Sequence, residues 1–346
     1  MNRNGGSQRI LVTGSQGYIG TELVKELVKL GADVTGTDIG YYQNSNLVDL
    51  FEVNPIKLDI RNIEELNLSE YKCVVHLAAL SNDPLGELDP SITYSINRDY
   101  AVRLASQARK QGVNRFIFAS TQSIYGVSES GIELHEDSEK RPVTAYAKSK
   151  WEAEQDILSM ATNDFVPTAV RPSTVFGWGA RVRNDIIFNN MISSGIMNGE
   201  IKVHTDGTPY RPVVHISDVV DFIIRLLDAP TNIVLGQAYN LGQLGGNFTV
   251  LEIAQKASEC LGGIPITLNT EDLKDQRSYK VSFEKAVKEL GFVAKKDLTY
   301  GGKEILTHFN CLDASQKEKY FKETTRLSVL KRLIERGSLN PDLSWT

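Results

Sequence analysis

The feature that most constrains this chain is a short apolar run, Ile10–Thr13, that passes directly into Gly14-Ser15-Gln16-Gly17-Tyr18-Ile19-Gly20 and then into a helical pattern from Tyr18 to Leu30. A strand entering a helix through glycines leaves backbone N–H groups unpaired at the helix start, where the helix dipole favours an anion. Gly14, Gly17 and Gly20 let the backbone turn sharply and approach a pyrophosphate, and Tyr18 and Ile19 belong to the same binding turn. Taken alone, such a turn also suits any tight loop. The next strand, Asp33–Asp38, ends at an aspartate 24 residues after Gly14. A carboxylate there accepts hydrogen bonds from an adenosine ribose and repels a 2′-phosphate. Because Ile39-Gly40-Tyr41 sets no Arg or Lys beside it, the pair favours NAD over NADP.

Strand and helix patterns go on alternating. Strands are expected near Val53–Leu58, Cys73–Leu77, Arg115–Ser120 and Pro167–Arg171, and helices near Ile92–Gln111 and Ala145–Ala161. The near-continuous apolar character of Cys73–Leu77 and Arg115–Ala119 fits strands buried on both faces, hence a doubly wound parallel sheet of the Rossmann type. After Arg171 the rhythm changes, with a Gly-rich turn at Phe176-Gly177-Trp178-Gly179 and a Gly/Pro-punctuated stretch from Asp206 to Pro212. A helix over His215–Leu227 and a strand near Tyr239–Leu241 return to the main sheet, and later helices begin near Thr249, Ser282 and Glu323. The expected fold is α/β, with residues 1–172 and 213–241 as the NAD-binding domain and residues 173–212 and 242–346 as a smaller interleaved substrate lobe. The charged tail, Gln316 to Thr346, reads as helical near Leu327–Arg336 and suggests no function.

Composition narrows the possible functions. Of 346 residues 41% are hydrophobic and 23% charged, the balance of an ordinary soluble globular protein. Lys+Arg 38 against Asp+Glu 43 gives a net charge of -5 without blocks of one sign, which argues against a dedicated nucleic-acid binder. Cys73, Cys260 and Cys311 are too scattered for a disulfide framework or a zinc knuckle, so no metal is expected and a reducing, cytoplasmic setting is the default. The polar stretch Met1–Gln8 and the absence of any run of about 18 apolar residues argue against a signal peptide or membrane span.

Tyr146 and Lys150 stand four apart on a predicted helix and therefore share a face. A phenol titrates near ~10 and is a poor base at neutral pH. An adjacent ammonium, with a positive nicotinamide ring nearby, would bring that value toward the working range. Taken alone, the pair also fits a surface coincidence. Ser120-Thr121-Gln122-Ser123-Ile124-Tyr125-Gly126 follows a strand at the carboxyl edge, where a hydroxyl could hold a substrate oxygen or simply close a strand-end turn.

Together with Asp59-Ile60, Leu77-Ala78-Ala79, Asn97 and Arg171-Pro172, these motifs resemble the extended short-chain dehydrogenase/reductase superfamily, in its nucleotide-sugar epimerase/dehydratase branch, over roughly residues 8 to 310. The resemblance implies that Thr121, Tyr146 and Lys150 are catalytic. It also implies that Asp59 and Ile60 flank the adenine, that Leu77, Ala78, Ala79 and Pro172 line the cofactor site, and that Asn97 is structural. A homodimer through the helices near Ile92–Gln111 and Ala145–Ala161 is implied as well.

Related 4,6-dehydratases carry an Asp-Glu pair after the catalytic Thr, where this chain has Gln122 and Ser123, and 3,5-epimerases carry a Cys in place of Ser123. Neither residue here titrates, which leaves redox chemistry at the sugar without elimination, and leaves Gln122 and Ser123 as substrate contacts. Arg211 and Arg277 match family arginines that hold the nucleotide diphosphate, for which a planar fork of donors is suited. Thr174 stands where relatives usually have Asn. Arg181, Arg183, Asn184 and Asn189 are further candidates for the phosphate, sugar or base, with helix capping as the alternative for Asn184. His215 and Asp218 read as a helix start, and Phe176 and Trp178 as packing. The expected function is an NAD-dependent nucleotide-sugar 4-epimerase. The alternatives are a C4 dehydrogenase that releases the keto-sugar and a non-catalytic NAD-binding protein.

Overall fold

The computed structural model describes residues 9–46, 55–128, 132–269 and 277–346. Seven parallel strands form its central sheet, in the spatial order Gln237–Leu241, Val166–Pro172, Arg115–Ala119, Cys73–His76, Arg9–Thr13, Asp33–Asp38 and Ile56–Lys57. The chain starts at Arg9–Thr13, winds outward to one edge and then crosses back to build the other. That reversal opens a crevice at the carboxyl ends of the strands on either side of the first one. Val53 and Asn54 of the expected third strand lie outside the described residues, and pairing there is confined to Ile56–Lys57.

Both faces of the sheet are covered, which is why its strands read as apolar runs. On one face Ile10, Val12, Val75 and Ile117 meet Leu23, Val24 and Leu27 of the helix Tyr18–Lys29, together with the helix Ile216–Asp228. Burying Leu23 and Leu27 contributes about 2 kcal/mol each. The opposite face packs Leu11, Val74, Phe116 and Phe118 against Leu104 and Ala108 of Tyr100–Lys110 and Ala153 and Ile157 of Ala145–Ser159.

The helix expected over Ile92–Gln111 is divided in three: Pro90–Tyr94, a π-helical turn Ser95–Asp99, and Tyr100–Lys110. The wide turn carries Asn97, whose side-chain amide donates to Leu80 O at 3.0 Å and accepts from Leu80 N at 2.8 Å. This pair of hydrogen bonds fixes the chain just past Ala78-Ala79.

A separate apolar cluster, including Phe176, Phe188, Ile192, Val213, Ile253, Ile305 and Phe309, forms the core beside the sheet. Its three short strands, Thr174–Phe176, Tyr210–His215 and Asn247–Thr249, make a second small sheet. Two segments expected in this lobe pack elsewhere. Ala286, Leu290 and Phe292 join the core under the main sheet, and Leu330, Leu339 and Leu343 of the tail join the core on its other face. Among the described residues, no helix is long and apolar enough to cross a membrane.

Candidate functional site

A cavity of about 780 Å³ runs along the carboxyl edge of the main sheet and on toward the second lobe. At one end the backbone itself makes the wall. Gly14 has φ +70°, and a Cβ there would lie 2.7 Å from Ala78 N; one on Gly20 would lie 2.1 Å from Gly14 O. These contacts bring the turn, the helix start and the strand end at Leu77-Ala78 together as only glycine permits. Gly17 caps the helix without a side-chain bond, so the N–H groups of its first turn face the cavity unshielded. Ile19, Asp59, Ile60, Ala79 and Pro172 line the same cavity. Tyr18 borders the cavity but commits its hydroxyl to Gly177 O at 2.7 Å, linking the turn to the lobe.

Asp38 lines the cavity with both carboxylate oxygens engaged, accepting from Gln16 N at 3.1 Å and Gly40 N at 2.8 Å. Burial raises its pKa. The sequence neighbours of Asp38 carry no cation, yet the fold brings Arg181 and Arg326 close enough to oppose that rise. Local sequence therefore misjudged the charge around this carboxylate. The open helix start, the glycine contacts and the cavity-lining aspartate fit a dinucleotide.

Further along, Thr121, Ser123, Tyr146 and Lys150 share the cavity. Thr121 begins the turn Gln122–Tyr125 by accepting from Ser123 N at 3.2 Å, and its side chain lowers the Tyr146 pKa. Lys150 is buried, donating to Ala119 O at 2.8 Å with its ammonium 4.7 Å from the Phe118 ring centre. Burial pushes Tyr146 up to about 12 and pulls Lys150 down to about 7. The expectation that Lys150 depresses the tyrosine is thus not met in the protein alone. Burial dominates, and the groups that lower Tyr146 are Thr121 and Arg183.

Arg211 and Arg277 sit together at the lobe end. Arg211 donates to Arg277 O, and Arg277 forms an ion pair with Asp83. Thr174 borders the cavity as well. Four expected substrate contacts do not line it. Gln122 is buried, its amide donating to Arg171 O at 3.0 Å and Leu241 O at 3.2 Å, so it ties neighbouring strands together. Asn184 accepts from Ser193 Oγ at 2.6 Å, and the helix Ile187–Asn198 is capped by Ile186 instead. Asn189 accepts from Gly177 N at 3.0 Å, holding the Gly-rich turn. Arg181 is buried beside Gln16 on the cofactor side. His215 and Asp218 are structural: His215 caps Ile216–Asp228, and Asp218 accepts from Lys295 N and Lys296 N. Trp178 stacks on His308 with centroids 5.1 Å apart, as packing.

Sequence reasoning overlooked several residues that do line the cavity: Ser81 and Asn82, Tyr41 and Tyr42, Asp185, and Thr325 to Ser328 of the tail. Arg183, which it left undecided, pairs with Asp185 at 2.8 Å and donates to Ser81 Oγ at 3.1 Å. The placement of Ser81 and Asn82 one residue beyond Leu77-Ala78-Ala79 was the one signal available for them.

The profile of the NAD dependent epimerase/dehydratase family matches residues 10–242. The UDP-glucose 4-epimerase of Vibrio cholerae is 31% identical over 64% of this chain and 67% of its own length. UDP-glucuronic acid decarboxylase 1 of Arabidopsis thaliana is 28% identical over 87% of this chain and 69% of its own. Among solved structures, MoeE5 in complex with UDP-glucuronic acid and NAD superposes with a TM-score of 0.74 at 27% identity, covering 88% of this chain and all of that one. With more than half of the chain inside the profile and a glycine cradle built for the cofactor, the chain belongs to the NAD-dependent epimerase/dehydratase family.

Proposed function

We propose that the protein is a nucleotide-sugar 4-epimerase that oxidises the C4 hydroxyl transiently and reduces the resulting ketone on its other face. NAD, when bound, supplies the acceptor and donor of the two electrons. Tyr146 Oη takes the hydroxyl proton on oxidation and returns it on reduction. Thr121, which lowers the Tyr146 pKa, stands beside the phenol to hold the sugar oxygen. Lys150, fixed on Ala119 O, orients the nicotinamide ribose. Arg211 and Arg277 receive the sugar nucleotide's diphosphate, with Arg277 exchanging Asp83 for phosphate oxygens.

The observation that carries this reading is the position after Thr121. Elimination of water needs a titratable acid and base there, but Gln122 is buried with its amide committed to two strands, and Ser123 is a hydroxyl. Redox chemistry at C4 needs neither group. The relatives named 4-epimerases support the reading, and the decarboxylase among them sets its main rival.

Incubating the protein with UDP-, GDP-, dTDP- and CDP-hexoses and UDP-glucuronate, followed by chromatography and mass spectrometry, tests it. A new peak of unchanged mass is expected. Loss of two hydrogens would identify a dehydrogenase, loss of carbon dioxide a decarboxylase, and loss of water would overturn the argument from Gln122.

A further inference from the structure

We infer that the C-terminal segment Thr325–Trp345 is part of the dinucleotide site, a strap whose helix start and Arg326 contact the phosphates of NAD and hold the cofactor in place. This rests on the cofactor alone and is independent of which sugar chemistry follows.

Thr325, Arg326, Leu327 and Ser328 line the same cavity as Asp38 and Gly17. They are the cap and first turn of the ten-residue helix Arg326–Glu335, whose cap makes no side-chain bond. The first N–H groups of any helix lack intrahelical partners and carry the positive end of its dipole. The cavity is therefore bordered by two helix starts, that of Tyr18–Lys29 and this one, where Arg326 N already donates to Asp185 Oδ2 at 3.3 Å and the following N–H groups remain for a ligand.

Arg326 is the second, independent observation. It is 2% exposed, its guanidinium lies 4.0 Å from the Tyr42 ring centre, and Nη2 donates to Arg181 O at 3.1 Å. Its Nη1 has no hydrogen-bond partner among the described residues, nor do Nε and Nη1 of Arg181. A buried guanidinium with unspent donors beside a cavity calls for an anion. Among the described residues Arg181, Arg183 and Arg326 converge here with Asp38 and Asp185, three cations with two carboxylates, an excess of one positive charge that favours an anion.

The strap is tied down on the loop that follows Asp38. Trp345 Nε1 donates to Ile39 O at 2.8 Å and Tyr41 OH donates to Leu343 O. Ser45 Oγ donates to Glu323 O, and Lys57 lies over the Trp345 ring at 4.7 Å. Leu343 is buried at φ +65°, a conformation costly for a branched side chain that persists because its surroundings hold it. Release of NAD then requires both the strap and the Ile39–Ser45 loop to move.

The test uses the full chain and three substitutions, with NAD retention as readout. NAD is loaded, excess removed by gel filtration, and dissociation followed after dilution into a charcoal trap. Trp345→Ala loosens the strap away from the cavity, Arg326→Met keeps the stem on Tyr42 but removes the charge, and Arg326→Lys restores charge without the fork. About tenfold faster release is expected for the first two and an intermediate rate for the third. A chain ending at Thr324 should lose NAD on the column. If that truncation fails to fold, the point variants decide. Wild-type release rates in both Trp345→Ala and Arg326→Met, at unchanged circular dichroism, would overturn the strap.

Discussion

The two ends of the cavity are built from different materials. At the cofactor end the wall around the first turn is backbone, with glycines whose missing Cβ atoms permit contact, a helix start, and an aspartate held by two main-chain N–H groups, and buried arginines stand beside it. At the lobe end the cations are held by side chains and by one another's carbonyls, Arg277 on Asp83 and Arg211 on Arg277 O. Backbone walls are set before any ligand arrives and lose little entropy on binding, so they suit a cofactor kept through many turnovers. Ion pairs that exchange one anion for another suit a substrate that must leave.

That contrast can be broken most sharply between the two ends, at Tyr146. Tyr146→Phe should lower kcat by roughly a thousandfold while NAD remains bound, since only the proton relay is lost. Full activity would remove Tyr146 from the mechanism, and loss of NAD would move it to the cofactor wall. Gly20→Ala should do the reverse. Placing a Cβ 2.1 Å from Gly14 O forces the turn away from the helix, which at about 3 kcal/mol weakens NAD binding roughly a hundredfold by calorimetry.

Lys150 tests how deeply the site is sequestered. Its folded pKa, about 7, lies below the ordinary 10.5, so between these values the unfolded chain binds the extra proton. Stability therefore rises with pH across that window, by at most about 1.4 kcal/mol per pH unit. Denaturant titrations from pH 7 to 10 should show this slope in the parent and lose it in Lys150→Met. A parallel slope in both proteins would mean that the ammonium is solvated. The smallest effect is expected at the lobe end. Asp83→Asn frees Arg277 yet keeps an acceptor for Thr144, and should lower KM for the sugar nucleotide by about fivefold, near 1 kcal/mol. A higher KM would show that Asp83 itself holds the sugar.

Legibility followed the same division. The Gly14–Gly20 turn, Asp38 and the Tyr146/Lys150 pair could be read because each is local: partners lie within one turn or one strand-helix unit, and period and spacing report them. Gln122, Asn184 and Asn189 were misread because a polar side chain near a motif looks alike whether it faces a cavity or a buried strand. What decides is the carbonyl it meets, as Gln122 meets Leu241 O more than a hundred residues on. The tail was opaque for the same reason. Nothing in Leu327–Arg336 or Trp345 refers to Ile39 or Tyr41, and their contact spans some three hundred residues.

The sequence by itself determined the doubly wound sheet, its order of strands and helices, and the cradle for a pyrophosphate, because apolar periodicity and glycine stereochemistry act over a few residues. Only the tertiary structure decided the charge around Asp38, the direction in which burial moves Tyr146 and Lys150, and the place of the C-terminal strap. Desolvation and long-range pairing depend on which distant surfaces meet, and no local pattern encodes that.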